Sequence, residues 1–169
     1  AQSLFSRASR AAQVAAWVRP NREIGAALAA EWAGVLLGSP AGTPVLGVHM
    51  RGTDKFLRRK VDPTLYFPLV DAFIDHHAAR GAHALVFLAT DDASYQNLTL
   101  TRYGRRVRQQ MGGALVRATG TSAVWQERDP AQAHSRGRQV LLDTLLLARC
   151  AVAQRGIARG PSRHVRALR

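Results

Sequence analysis

Apolar residues recur along this chain with two different periods, and the alternation between them predicts an α/β fold. Over Asn21–Leu37 the residues Ile24, Leu28, Trp32, Val35 and Leu36 recur at helical spacing. Asn21 suits the N-cap, and Glu23 in the first turn suits the helix dipole. GSPAGT at Gly38–Thr43 is a turn-rich loop. The run Val45-Leu46-Gly47-Val48 is short and β-branched, which predicts a buried strand stopped by Gly52 and Thr53. Asp62-Pro63 then reads as an N-cap with proline at the first helical position. The helix it opens runs to about Arg80, with Leu65, Phe67, Leu69, Val70, Phe73 and Ile74 as its apolar side. Gly81 ends it, and Ala84–Ala89 is a second buried strand. Thr90 or Asp91 is expected to cap a helix over Asp92–Tyr103. Gly104–Arg108 reads as a helix end and basic turn, Ala114–Ala118 as a third strand, and Thr119–Gly137 as loop. Arg138–Cys150 reads as a buried helix, with Val140, Leu141, Leu142, Leu145, Leu146 and Leu147 around Asp143. Residues 1–20 form an Ala-rich helix and linker, 21–152 the folded domain, and 153–169 a basic, disordered tail.

A strand–helix–strand unit of this length implies a parallel pair with a right-handed crossover. Ligands of such sheets sit beyond the carboxyl ends of the strands. His49, Arg51 and Lys55 follow the first strand, and Asp91 and Asp92 end the second. An imidazole and two cations there suit an anionic ligand, with phosphate the first candidate, because arginine grips two oxygens at once. The plainer alternative is a basic loop in which Asp54 pairs with Arg51. One of the two aspartates is accounted for by helix capping alone. Asp143 sits in an apolar face and needs a partner. That partner is a ligand such as a guanine edge, with its two adjacent donors, or Arg149 on the same helix. His76 and His77 are adjacent in a helix, point roughly 100° apart and make a poor chelating pair.

Composition narrows this picture. The 169 residues suit one domain, and a hydrophobic content of 47% suits a packed core. The net charge of +13 first suggests nucleic acid or another polyanion. Only Lys55 and Lys60 are lysines, however, and the arginines are spread along the chain with few aromatic residues among them to stack on bases. The lone Cys150 excludes an internal disulfide and a cysteine-built zinc site. There is no apolar run of bilayer length, so no membrane segment is expected. Ala1–Ala16 lacks a signal-peptide pattern and does not begin with methionine, as a fragment of a longer precursor would not.

GVHMRGTDK at Gly47–Lys55 resembles the first signature of the fucosyltransferase superfamily, which includes the α1,6-fucosyltransferases, their nodulation relatives and, more distantly, the protein O-fucosyltransferases. VFLATDD at Val86–Asp92 resembles that family's second strand-end signature. SRGRQVLLDTLLLARC at Ser135–Cys150 resembles its later Asp-bearing helix, and WVRPNREI at Trp17–Ile24 the segment before the first signature. The four occur in family order over residues 17–150.

The resemblance implies an α/β, Rossmann-like parallel sheet: the C-terminal, donor-binding half of a two-lobed GT-B glycosyltransferase, incomplete at its C-terminal end. It implies fucosyl transfer from GDP-fucose to a glycan or protein acceptor in the secretory pathway, Golgi or ER, with no metal and no cofactor beyond the donor substrate. By the same resemblance Arg51 holds the donor diphosphate and offsets the charge growing on the leaving group. His49 and Asp143 face the guanine, Asp91 and Asp92 line the ribose and base side, and Asp54 and Lys55 brace the loop.

The sequence departs from the family pattern at three points. Gly52 stands where well-known members have a second arginine. Phe56–Val61 has Arg58 and Arg59 and no acid where the α1,6 branch has a candidate base. After the Asp143 helix the chain runs AVAQRGIARG, in place of an apolar strand and a Ser/Thr-rich turn. A truncated or frame-shifted end with closing strands missing is the expectation from this last point. Two alternatives stand beside the enzyme: a degenerate, non-catalytic relative that keeps the fold, and a basic nucleic-acid-binding module.

Overall fold

The computed structural model describes residues 20–52, 61–111, 130–150 and 152–155. Helix α1 spans Arg22–Leu36, and the Asn21 carboxamide oxygen accepts the Ile24 N–H at 2.8 Å, as its cap position predicts. Gly38 and Gly42 take φ of +73° and +78°, so the loop to the sheet turns where only glycine turns without strain. Strand β1 spans Val45–Met50. Asp62 caps the next element, accepting from the Thr64 N–H at 2.8 Å and its hydroxyl at 2.7 Å. That element begins as a 3-10 turn, Pro63–Tyr66, and continues as α2, Phe67–Ala78. Pro68 has no N–H to bond back one α-turn, which explains the change of helix type at this point. Strand β2 is Leu85–Thr90, α3 is Ala93–Tyr103, β3 is Val107–Arg108, α4 is Pro130–Arg149 and β4 is Val152–Arg155.

The four strands lie in the order β3-β2-β1-β4, and every pairing is parallel. This is an α/β, Rossmann-like sheet. The chain steps outward from β1 to β2 to β3, then returns past its own start to lay β4 on the other side of β1. A right-handed crossover puts the connecting helices on opposite faces for opposite directions of travel. The core clusters follow that rule. Leu46, Val48, Met50, Val86, Leu88 and Val107 pack with Phe67 and Val70 of α2 and Tyr95 of α3. Val45, Leu85, Phe87 and Ala89 pack with Leu28 and Val35 of α1 and Leu142, Leu146 and Leu147 of α4. Both faces of β2 are covered, so all six of its residues are buried and its sequence shows no alternation.

Gly47 sets how closely α4 approaches. A Cβ there would stand 3.1 Å from both the Cβ and Sγ of Cys150 and 3.1 Å from Leu147 Cδ2. Beneath that contact the Cys150 thiol is buried and donates to the Leu146 carbonyl at 3.3 Å. Burial pushes its pKa up to about 12. As the only cysteine, it reports on the seating of α4. A disulfide exchange reagent at neutral pH is expected to leave the folded protein unlabelled and to label it fully in denaturant. Fast labelling under native conditions would mean that α4 is not seated as described.

Several sequence expectations are corrected. Val107–Arg108, read as part of a basic turn, is the edge strand β3. Val152–Arg155, where no closing strand was expected and most of which was assigned to the tail, pairs with β1 from Leu46 to His49. Helix α4 starts at Pro130, not Arg138, because Gly137 and the polar residues before it hide a helical first half. Leu65 of the 3-10 turn and Leu69 of α2 are 69% and 44% exposed, and Val140 and Leu141 of α4 are 61% and 41% exposed, so the buried stripes of these helical segments are narrower than their sequences suggest. Expectations for residues 1–18, 53–60, 114–118 and 156–169 lie outside the described residues. Among the described residues no helix is long and apolar enough to cross a membrane.

Candidate ligand site at the strand carboxyl ends

The register pairs Met50 of β1 with Thr90 of β2, so the residues leaving the two strands start side by side. Met50 is fully buried, Arg51 is exposed and Gly52 is buried again. Arg51 therefore rides on the crest of a turn whose two feet are fixed. Asp91 holds one foot: its Oδ1 accepts the Gly52 N–H at 2.6 Å. Asp92 lies under the turn and is 4% exposed. Its Oδ1 accepts the Ser94 N–H at 2.8 Å, the Ser94 hydroxyl at 2.6 Å and the Tyr95 N–H at 3.4 Å. The cap of α3 is thus Asp92, not Thr90 or Asp91, and Thr90 Oγ1 supports it by accepting the Asp92 N–H at 3.2 Å. A carboxylate here meets the unsatisfied amides and positive end of the helix dipole.

Gly52 has a steric reason to be glycine. A Cβ at this position would come within 2.4 Å of Asp92 Cβ. No larger side chain fits position 52 while Asp92 stays where it is.

His49 is half-buried and lies in β1 with Val45 and Gly47 on the α1/α4 side, since successive strand residues face opposite ways. Asp143 is half-buried on α4. Gly47 lies against Leu147 and Cys150, and α4 runs against the strand direction. Two strand residues advance about 6.6 Å and four helical residues about 6 Å, so Asp143 comes level with His49. Three sequence-predicted residues, His49, Arg51 and Asp91, thus gather at one sheet edge. Asp92 is close by but is built into the fold as a cap. Asp54 and Lys55 lie outside the described residues. Arg149 lies near the far end of α4 from this edge and is exposed.

The edge adjoins the place where the strand order reverses. β1 and β4 are neighbours, but α2, which follows β1, and α4, which precedes β4, lie on opposite faces, and ligands of open α/β sheets bind in the crevice opened by such a reversal. Among the described residues no three or more His, Cys, Asp or Glu form a group that could hold a metal ion.

A second polar cluster joins the first turns of α2 to the last turn of α3. Asp71 Oδ2 accepts from Arg102 NH2 at 2.6 Å and its Oδ1 from the Tyr103 hydroxyl at 2.9 Å. Hydrogen bonding to Arg102 holds the Asp71 carboxyl below its usual range, and burial pushes Tyr103 up to about 12. Arg102 also lies over the Phe67 ring, 4.9 Å from its centre. These groups satisfy one another and tie α3 to α2, which is a structural role. His76 and His77 stack edge to face at 5.1 Å and are half-buried.

Sequence reasoning assigned nothing to Gln96, Gln109 and Gln110, which the fold brings to the end of β3. Gln96 Nε2 donates to Gln109 Oε1 at 2.6 Å. No local spacing marks them, because α3 and the exit of β3 meet only through the sheet.

Comparison of the chain with protein-family models, with curated proteins and with solved structures finds no match.

Proposed function

We propose that this chain is the donor-binding lobe of a GT-B glycosyltransferase of fucosyltransferase type, which holds a GDP-sugar, GDP-fucose by resemblance, at the carboxyl end of β1. The observation that carries the reading is the Arg51 turn: an exposed guanidinium at the end of a central parallel strand, braced by Asp91 and Asp92, beside the switch in strand order. In this reading Arg51 grips the diphosphate with two parallel N–H bonds and stabilises the negative charge that grows on it as the sugar leaves. His49 and Asp143, level with each other on the α4 side, face the guanine, whose N1–H and 2-amino group match a carboxylate. Asp91 and Asp92 shape the turn. The acceptor is a glycan or a protein of the secretory pathway, and its deprotonating base is not among the residues named.

Calorimetric titration with GDP tests this. Micromolar binding is expected. Arg51→Ala and Asp143→Ala should each weaken it roughly tenfold or more, since each removes a charge-assisted hydrogen bond. A folded chain that does not bind GDP, or that binds it equally well with both residues replaced, would sink the reading. Salt-dependent retention on a polyanion, unchanged by Arg51→Ala, would favour the nucleic-acid alternative instead.

A further inference from the structure

The fold collects cations at the amino ends of the strands, the edge opposite the candidate site. Helices α2 and α3 finish there, and β2 and β3 start there. Arg80 and His83 lie between α2 and β2, and Arg105 and Arg106 lie in the 3-10 turn, Gly104–Arg106, between α3 and β3. The two connections touch: Arg106 NH1 donates to the Ala84 carbonyl at 3.3 Å and is 3.5 Å from His83 Nδ1. Arg108 carries the row on to α1, because its Nε donates to the Val35 carbonyl at 3.2 Å and its NH1 to the Arg105 carbonyl. Leu37, two residues past Val35, is therefore a neighbour of Arg105, and it is 71% exposed. Arg149, in the last turn of α4, comes to the same edge just before β4.

The acids do not answer these charges. On α2, Asp71 is paired with Arg102, and one further acid, Asp75, lines an open hollow with Arg106. On α1, the Glu31 carboxylate accepts the Met111 N–H at 2.7 Å. Asp62, Asp91 and Asp92 stand at the carboxyl side of the sheet. Arg80 is explained locally, since it donates to the His76 carbonyl at 2.8 Å and complements the end of α2. The Arg105 and Arg149 guanidinium groups are exposed and have no bonded partner among the described residues.

An exposed leucine is ordinary by itself. Set among unpaired arginines, it makes a surface with an apolar tip and a cationic surround. That composition matches an anionic bilayer, whose phosphates meet the arginines while the leucine enters the boundary with the acyl chains. A nucleic acid has no use for the leucine, and the row holds no Phe, Tyr or Trp to stack on bases. We propose that the amino edge, with Leu37, Arg80, Arg105, Arg106 and Arg149, is a docking surface for an anionic lipid bilayer. Contact through this edge leaves the crevice at Arg51 turned to solution, and the inference does not depend on which ligand the crevice takes. So few contacts give reversible attachment, not permanent anchoring.

Co-sedimentation of the full chain with phosphatidylcholine vesicles, and with vesicles of equal parts phosphatidylcholine and phosphatidylserine, tests this. Binding to the anionic vesicles alone is expected. Arg105→Gln should weaken it about fivefold, the worth of one arginine at such a surface, and Leu37→Asn by about the same factor. Arg22→Gln removes the same charge from an exposed site at the start of α1, the far end of the molecule. At about 0.15 M salt that charge is screened from the membrane, so the loss should stay below about twofold. The three side chains are exposed, and the melting temperature should not change. Absence of binding, or equal losses for Arg105→Gln and Arg22→Gln, would reduce the effect to net charge and overturn the proposal. Wild-type binding by Leu37→Asn would overturn it too, and displacement of the vesicles by a single-stranded oligonucleotide would then assign the edge to nucleic acid.

Discussion

Replacing Phe87 by alanine is expected to remove about 3–5 kcal/mol of folding stability. The side chain has no exposed surface and lies mid-way along β2 on the side covered by α1 and α4. Its strand partner is Gly47, the residue that lets α4 approach the sheet, so the ring fills space that its neighbour leaves. Truncation removes the transfer free energy of a phenyl group and leaves a cavity that a rigid parallel sheet cannot collapse into. Domains of this kind are stable by only about 5–15 kcal/mol, so the loss would shift the urea midpoint by a large fraction of its value. Leu65→Ala is the control. That leucine is 69% exposed, and its removal should change stability by no more than about 0.5 kcal/mol. Similar midpoints for the two variants would mean that the sheet is not packed as described.

Gly52→Ala should cost about 1–3 kcal/mol, an overpacking penalty incurred at the candidate site itself. The added methyl group meets Asp92 Cβ at 2.4 Å, and Asp92 cannot swing aside without giving up its bonds to Ser94 and Tyr95. If the turn moves instead, the 2.6 Å bond from Gly52 to Asp91 is lost and Arg51 is displaced. Either response should weaken GDP binding at least tenfold under the proposed function. Gly25→Ala in α1 provides the contrast. No atom lies within 4 Å of a Cβ there, and alanine in a helix interior gains roughly 0.5–1 kcal/mol over glycine. Opposite signs for the two substitutions in one urea series would establish the close approach at Gly52. Equal effects would remove it.

Gly52 also shows where reading by pattern stops. Against the signature that the sequence resembles, it is only a missing arginine. In three dimensions it is a contact between residues 40 positions apart, and the same contact binds Asp91 and Asp92 into the turn. The pair of aspartates was legible as a strand end and a helix start. Which one caps was not, because the choice depends on where β1 leaves the sheet beside them. Asp143 was legible as a carboxylate in an apolar helix, and its level with His49 came from the packing of Leu147 and Cys150 on Gly47.

The sequence by itself determined the strands β1 and β2, the caps at Asn21 and Asp62, the parallel βαβ unit and the gathering of His49, Arg51 and Asp91 at one edge. These follow from signals within a few residues: runs of buried apolar side chains, capping groups, glycine and proline. Only the tertiary structure decided the edge strands β3 and β4, which are two and four residues long and take their identity from the strand they pair with. Tertiary packing also decided which leucines of α2 and α4 are buried, because a helix can present more apolar residues than its neighbours cover. The glutamine cluster belongs to this second class. Its members come from a helix and a strand exit with no sequence relation, and only the sheet brings them together.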